Sequence, residues 1–123
     1  MVAYNFKPQF AGPVERGEKT QTIRRTGKRR HARPGDTLQL YTGMRTKSCR
    51  LLALVKCSNT WAIEIRPDGR VYLDGELLND VDQVQQLVQD DGFGDIPEFL
   101  WFFCPASEHF KGVLIKWEAL DDA

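Results

Sequence analysis

The sequence predicts an α+β fold, a small β-barrel of about six strands with two to three short flanking helices. Three observations predict it. Alternating apolar and polar runs recur along the chain, separated by turn residues such as Pro34-Gly35-Asp36 and Arg66-Pro67-Asp68-Gly69. Helical periodicity is confined to a few short stretches flanked by capping residues. The chain has 123 residues, enough for one real core but not two.

The elements follow in order. Val2 to Phe6 reads as a first edge strand, and Lys7-Pro8 starts a short helical segment with Phe10 and Val14 on its inner face. Lys19 to Arg24 alternates, placing Thr20, Thr22 and Arg24 on one face and Lys19, Gln21 and Ile23 on the other. A twist at the strand end is needed to converge Lys19 with Thr22. Thr37 to Tyr41 is the next strand. Ser48 to Val55, with an apolar centre suited to a closed barrel, and Cys57 to Ile65 read as two more. Arg66 to Gly69 is a hairpin turn that returns through Val71 to Leu73. Asn79 to Asp91 is the clearest helix, capped by Asn79 or Asp80, striped by Val81, Val84, Leu87 and Val88, and ended by Gly92. Asp95-Ile96-Pro97-Glu98 opens a second helix, an acidic cap with Glu three residues later. Its apolar run, Phe99 to Phe103, reads as core before a dimer patch. Phe110 to Trp117 is the final strand.

Composition narrows the function. The chain is 41% hydrophobic and 28% charged, an ordinary globular balance that excludes a mainly disordered chain. No apolar run approaches the roughly 20 residues of a membrane span, and the N-terminus lacks the pattern of a secretory signal. Cys49, Cys57 and Cys104 are odd in number and widely spaced, which suits reduced thiols in a cytoplasmic protein. Neither they nor His31 and His109 form the close pairs of a zinc site, and nothing calls for a metal or a cofactor. The formal net charge is zero, yet residues 1–60 carry 13 Lys and Arg against three acids, and residues 61–123 carry four against 14. Such polarity points to a one-sided polyanionic partner, unless the two halves neutralise each other across the fold.

The basic half peaks in one loop. Arg24, Arg25, Lys28, Arg29, Arg30 and Arg33 lie within ten residues and suit phosphate contacts, which position a nucleic acid without reading its sequence. His31 sits among them as a surface histidine able to add charge in mild acid. Just upstream, Gly17-Glu18-Lys19-Thr20-Gln21-Thr22-Ile23-Arg24 resembles the GxKxxTxR signature of the ASCH domain family, part of the PUA-like superfamily. Arg33-Pro34-Gly35-Asp36, the Asp91-Gly92-Phe93 step and the closing Ile115-Lys116-Trp117 are similar to that family as well, so the resemblance covers nearly the whole chain as one domain, residues 1–123.

The resemblance implies a PUA-like barrel with a cleft for RNA or a modified nucleoside, DNA being the less favoured nucleic acid. Some small bacterial members of similar length are N4-acetylcytidine amidohydrolases, and others are described as ribonucleases. Carried over by motif, it implies Lys19 as base, Thr22 as nucleophile and Asp91, with Asp90 its neighbour, as the carboxylate. This chain departs from those amidohydrolases in its longer, more basic loop and in an Asp where they carry Glu. Tyr41, Trp61 and Trp101 are candidates to stack on a base, with barrel core as the competing role. The leading expectation is therefore a nucleic-acid or modified-nucleoside binding module with the loop on the backbone and one base in the cleft. The alternative is an amidohydrolase or ribonuclease. A protein-interaction module docking through the acidic C-terminal half ranks third.

Overall fold

In a computed structural model, residues 1–120 are described. The chain folds as β1 (Val2–Phe6), α1 (Pro8–Glu15), β2 (Gln21–Arg25), β3 (Thr37–Thr42), β4 (Arg50–Ile65), β5 (Val71–Leu73), β6 (Glu76–Leu77), α2 (Val81–Asp90), α3 (Ile96–Phe103) and β7 (Phe110–Ala119). The seven strands form one curled sheet, a half-barrel with three short helices against it, so the fold is α+β.

β4 organises the sheet. Its first half pairs with β3, its second half with the short β5, and its opposite edge with β7 from Val55 to Ile65. The two strands expected over Ser48–Val55 and Cys57–Ile65 are thus one. The register shifts between Cys57 and Asn59, and that bulge bends the strand without ending it. The apolar start of β4 overhangs the core: Leu51 and Leu54 are each 45% exposed, against the expectation of a strand buried throughout.

The sheet path runs from β1, parallel to β3, through β4 to β7 and then to antiparallel β2. β1 and β2 are its two ends and do not pair with each other. Two side chains cross this seam. Arg24 Nη2 donates to the Asn5 carbonyl at 2.8 Å, and Arg29 Nη2 donates to the Ala3 carbonyl.

The core is continuous beneath the sheet and helices, with Tyr4, Leu38, Leu40, Ile65, Val88, Phe99 and Ile115 fully buried. Burying each large side chain contributes about 1.5–3 kcal/mol. Asp80 caps α2, its side chain accepting from Asp82 N at 2.9 Å; Asp95 caps α3 the same way from Glu98 N at 2.9 Å. Val84, Leu87 and Val88 bury the apolar stripe of α2, whereas Val81 in its first turn stays exposed. On α3 the core face is Phe99 and Phe103, while Trp101 is 74% exposed, so the whole run is not core. An eight-residue helix has only one inner face, and five successive apolar residues cannot all occupy it. No helix among the described residues is long and apolar enough to cross a membrane.

Candidate functional site

A cavity of ≈ 270 Å³ lies at the β1–β2 seam, where α1 and the α2–α3 connection close over it. Its size approaches the roughly 300–1,000 Å³ of small-molecule sites, which suits one base or nucleoside. Lys19, Thr22, Arg24 and Asp91 all line it.

β2 supplies two of these four, Thr22 and Arg24, and the segment leading into it supplies Lys19. Alternation along the strand holds: Lys19 and Gln21 both reach Asp91, while Thr22 and Arg24 bond to each other. Lys19 precedes the first paired residue of β2, so its long side chain is free of the pleat and enters the cavity from beside the strand. Thr22 and Arg24 enter from the other face. The convergence of Lys19 with Thr22 on one cavity therefore comes from the strand's end and not from its periodicity.

Asp91 follows the last turn of α2, its amide donating to the Leu87 carbonyl at 3.1 Å and that of Gly92 to the Gln89 carbonyl at 2.9 Å. Only 2% of it is exposed, and Lys19 is 3% exposed. Lys19 Nζ donates to the Asp91 carbonyl at 2.5 Å and lies 3.3 Å from Oδ1. Gln21 Nε2 donates to the same Oδ1 and to the Leu87 carbonyl, both at 3.3 Å. Burial pushes Asp91 up to about 6, against the opposing pull of Lys19 and Gln21. The negative end of the α2 dipole acts in the same sense as burial. Burial also lowers the proton affinity of Lys19, against the pull of Asp91. Neighbouring Asp90 instead accepts from Gln86 on the outside of the helix, so the cavity takes Asp91 and not Asp90.

Arg24 is held flat. Its guanidinium lies 5.0 Å from the Tyr4 ring centre and 4.9 Å from that of Phe6, and Nε donates to Thr22 Oγ1 at 3.1 Å. Burial pushes Arg24 down to about 10, with Arg29 adding to the effect. It forms no ion pair among the described residues.

The remaining wall is aromatic. Phe10 from α1, Phe93 from the α2–α3 connection and Phe102 from α3 meet edge-on or tilted, with centroids 5.2–6.0 Å apart. Lys7 Nζ stands 4.8 Å above the Phe102 ring at the cavity mouth. Gly92 permits this packing: its φ is +95°, and a Cβ there would sit 3.2 Å from Phe10 Cδ1 and 3.4 Å from Lys19 Cδ.

Tyr41 and Trp61 do not reach this cavity, and Trp101 lies on the solvent face of α3. Tyr41 sits on β3, and Trp61 lines a separate groove with Leu73, Leu78 and Leu87. The rings that wall the cavity are phenylalanines, Phe10, Phe93 and Phe102, in place of the expected Tyr and Trp. The Phe6–Phe10 spacing and the Phe93 step were the available signals. Gln21 was also passed over, because only the fold brings it to Asp91.

The basic loop leaves the end of β2. Arg29 folds back on the Tyr4 ring at 4.8 Å, Arg25 covers the Phe110 ring at 4.9 Å, and Arg30 pairs with Asp36 at 3.0 Å on the surface. Lys28 and Arg33 carry their charges on exposed side chains. His31 is half-buried, stacked on Tyr4 with Nδ1 3.2 Å from its hydroxyl, and is not a simple surface residue. Among the described residues the Lys19–Asp91 contact is the one ion pair that joins the basic half to the acidic half, so contact pairing does not erase the charge polarity. The three cysteines are free, and no cluster of three or more His, Cys, Asp or Glu capable of holding a metal occurs among the described residues.

No protein-family model, curated protein or solved structure matches this chain. The functional reading therefore rests on the residues and their geometry.

Proposed function

We propose that the protein is a nucleic-acid binding module of the ASCH type, which takes one unstacked base or modified nucleoside of an RNA into the seam cavity. The observation that carries this is the continuity of cavity and loop: β2 and the residues leading into it bring Lys19, Thr22 and Arg24 to the cavity, and the strand runs directly into the basic loop. Lys28, Arg30 and Arg33 hold the phosphate backbone, and the base enters between the phenylalanine wall and the Lys19–Asp91 pair. Asp91 Oδ1 already accepts from Lys19 and Gln21, so Oδ2 can accept from an exocyclic amino group, and Lys19 can donate to a ring carbonyl.

The test is fluorescence anisotropy of a labelled single-stranded RNA against wild type and a Lys28→Ser/Arg30→Ser/Arg33→Ser variant. Losing three phosphate contacts should weaken binding at every sequence and flatten the slope of log K on log salt by about 2. Unchanged affinity and slope would remove the loop from the interface.

A second reading, hydrolysis of an N4-acylated cytidine, is favoured by one observation. A lysine serves as a base only when its proton affinity is lowered, and burial does that to Lys19. Thr22 Oγ1 accepts from Arg24, which leaves its own O–H available to donate to Lys19. Thr22 would pass its hydroxyl proton to a neutral Lys19 as it attacks the acyl carbon. Lys19 would return that proton to the departing cytosine N4, and water would then hydrolyse the Thr22 ester to release the acid. Mass-spectrometric turnover of N4-acetylcytidine, abolished in a folded Lys19→Ala variant, is the expected result. Equal turnover in both proteins rejects the assignment.

A further inference from the structure

We infer that the seam cavity is built for a phosphorylated nucleotide in preference to the neutral nucleoside, with Arg24 as the phosphate anchor. This rests on the reading of the cavity as a nucleoside site.

Charge is the first ground. Lys7, Lys19 and Arg24 line the cavity against the single carboxylate of Asp91. Asp91 is spent on Lys19, which leaves the Arg24 charge uncompensated. Arg29 brings a second guanidinium to the same Tyr4 ring, again with no carboxylate partner among the described residues. Arg24 is half-buried, and a partly desolvated cation without a counter-charge is an electrostatic cost that an anion held in the cavity relieves.

Hydrogen-bonding capacity is the second. A guanidinium has five N–H groups. Arg24 uses Nε on Thr22 Oγ1 and one N–H of Nη2 on the Asn5 carbonyl, and no other described group accepts from it. Its Nη1 and the second N–H of Nη2 form an unused edge, the geometry that grips phosphate oxygens in pairs. The Tyr4 and Phe6 rings hold the plane in place, so little side-chain freedom is left to lose on binding.

Layout is the third. The cationic edge of Arg24 and the base-reading Lys19–Asp91 pair belong to the same small cavity, with the phenylalanine wall in the same enclosure. A mononucleotide presents a phosphate at one end, a polar base edge at the other and an apolar face between. Lys7 at the mouth extends the positive field outward.

The experiment is calorimetric titration of wild type with cytidine and cytidine 5′- and 3′-monophosphate, repeated with adenosine and its monophosphates, with inorganic phosphate as control. At least one monophosphate should bind about tenfold to a hundredfold tighter than its nucleoside, the range of a charge-assisted hydrogen-bond pair. In Arg24→Gln the ratio of monophosphate to nucleoside affinity should fall to about one, whatever the nucleoside affinity itself becomes. Arg24→Lys, which retains charge without the paired donors, should retain part of it. The wild-type ratio needs no variant, so misfolding of Arg24→Gln leaves the inference exposed to refutation. Equal affinity for nucleoside and monophosphate overturns the phosphate anchor while the nucleoside site stands. Binding of inorganic phosphate with no added affinity from any nucleoside retains an anion site but overturns the nucleotide. Absence of all binding overturns both readings.

Discussion

Replacing Lys19 by methionine isolates the electrostatics of the cavity. Methionine fills much of the lysine volume, so packing changes little and the charge is what disappears. Asp91 then keeps Gln21 but loses its cation, and its proton affinity rises further above the value of about 6 in the wild type. The sign follows. Asp91 binds its proton more tightly in the folded state than in the unfolded one, whose ordinary value is 3.8. Stability therefore falls as pH rises from there through the folded value. In the wild type this fall is complete just above 6; in Lys19→Met it continues. At pH 5.5 Asp91 is largely neutral in both proteins, and the stability difference should be within about 1 kcal/mol, as for a buried pair replaced by an apolar group. Each further pH unit adds at most about 1.4 kcal/mol, so by pH 7.5 the variant should have lost about 2 kcal/mol more than the wild type. Urea unfolding at the two pH values measures it. An equal difference at both, whatever its size, would show that Asp91 is not a buried carboxylate dependent on Lys19.

Three further outcomes follow from the same geometry. Gln21→Leu removes one donor from Asp91 Oδ1 and should raise the carboxyl's midpoint above about 6. Carbon-detected NMR titration of Asp91 reads this directly, and an unshifted midpoint would exclude Gln21 as its support. Gly92→Ala forces a side chain onto a φ of +95° and against Phe10, which should cost at least about 1 kcal/mol of stability and weaken any ligand bound in the cavity. A thermal melt beside the wild type decides it, with no loss the contrary result. Trp101→Ser should change stability by no more than about 0.5 kcal/mol, because the ring lies in solvent. A loss above 2 kcal/mol in chemical unfolding would place that ring in a packed environment instead.

How much of this was legible in the sequence depends on how local each feature is. Asp80 and Asp95 are capping residues next to the helices they start, so both helix starts were readable. The alternation of Gln21 against Thr22 and Arg24 was readable, since it is set by the pleat of one strand, whereas Lys19 lies before that strand and outside its pleat. The continuity of β4 was not readable, because the bulge at Cys57 and Asn59 is imposed by a pairing with β7 that lies far along the chain. The aromatic wall was missed for a related reason. Phe10, Phe93 and Phe102 come from three different elements, and no spacing links them. Trp61 and Tyr41 drew attention for their chemistry, yet strand position sent them elsewhere.

The seam between β1 and β2 also bears on strand addition by another chain. β1 pairs on one side only, and its other edge presents backbone groups that another chain's strand could use as a template. Arg24 and Arg29 occupy the Asn5 and Ala3 carbonyls of that edge with charged side chains. These two cations thus act as gatekeepers against strand addition. Replacing either cation by a neutral side chain would return a backbone acceptor to that open edge, so the two arginines tie the charge of the seam to the protection of the sheet.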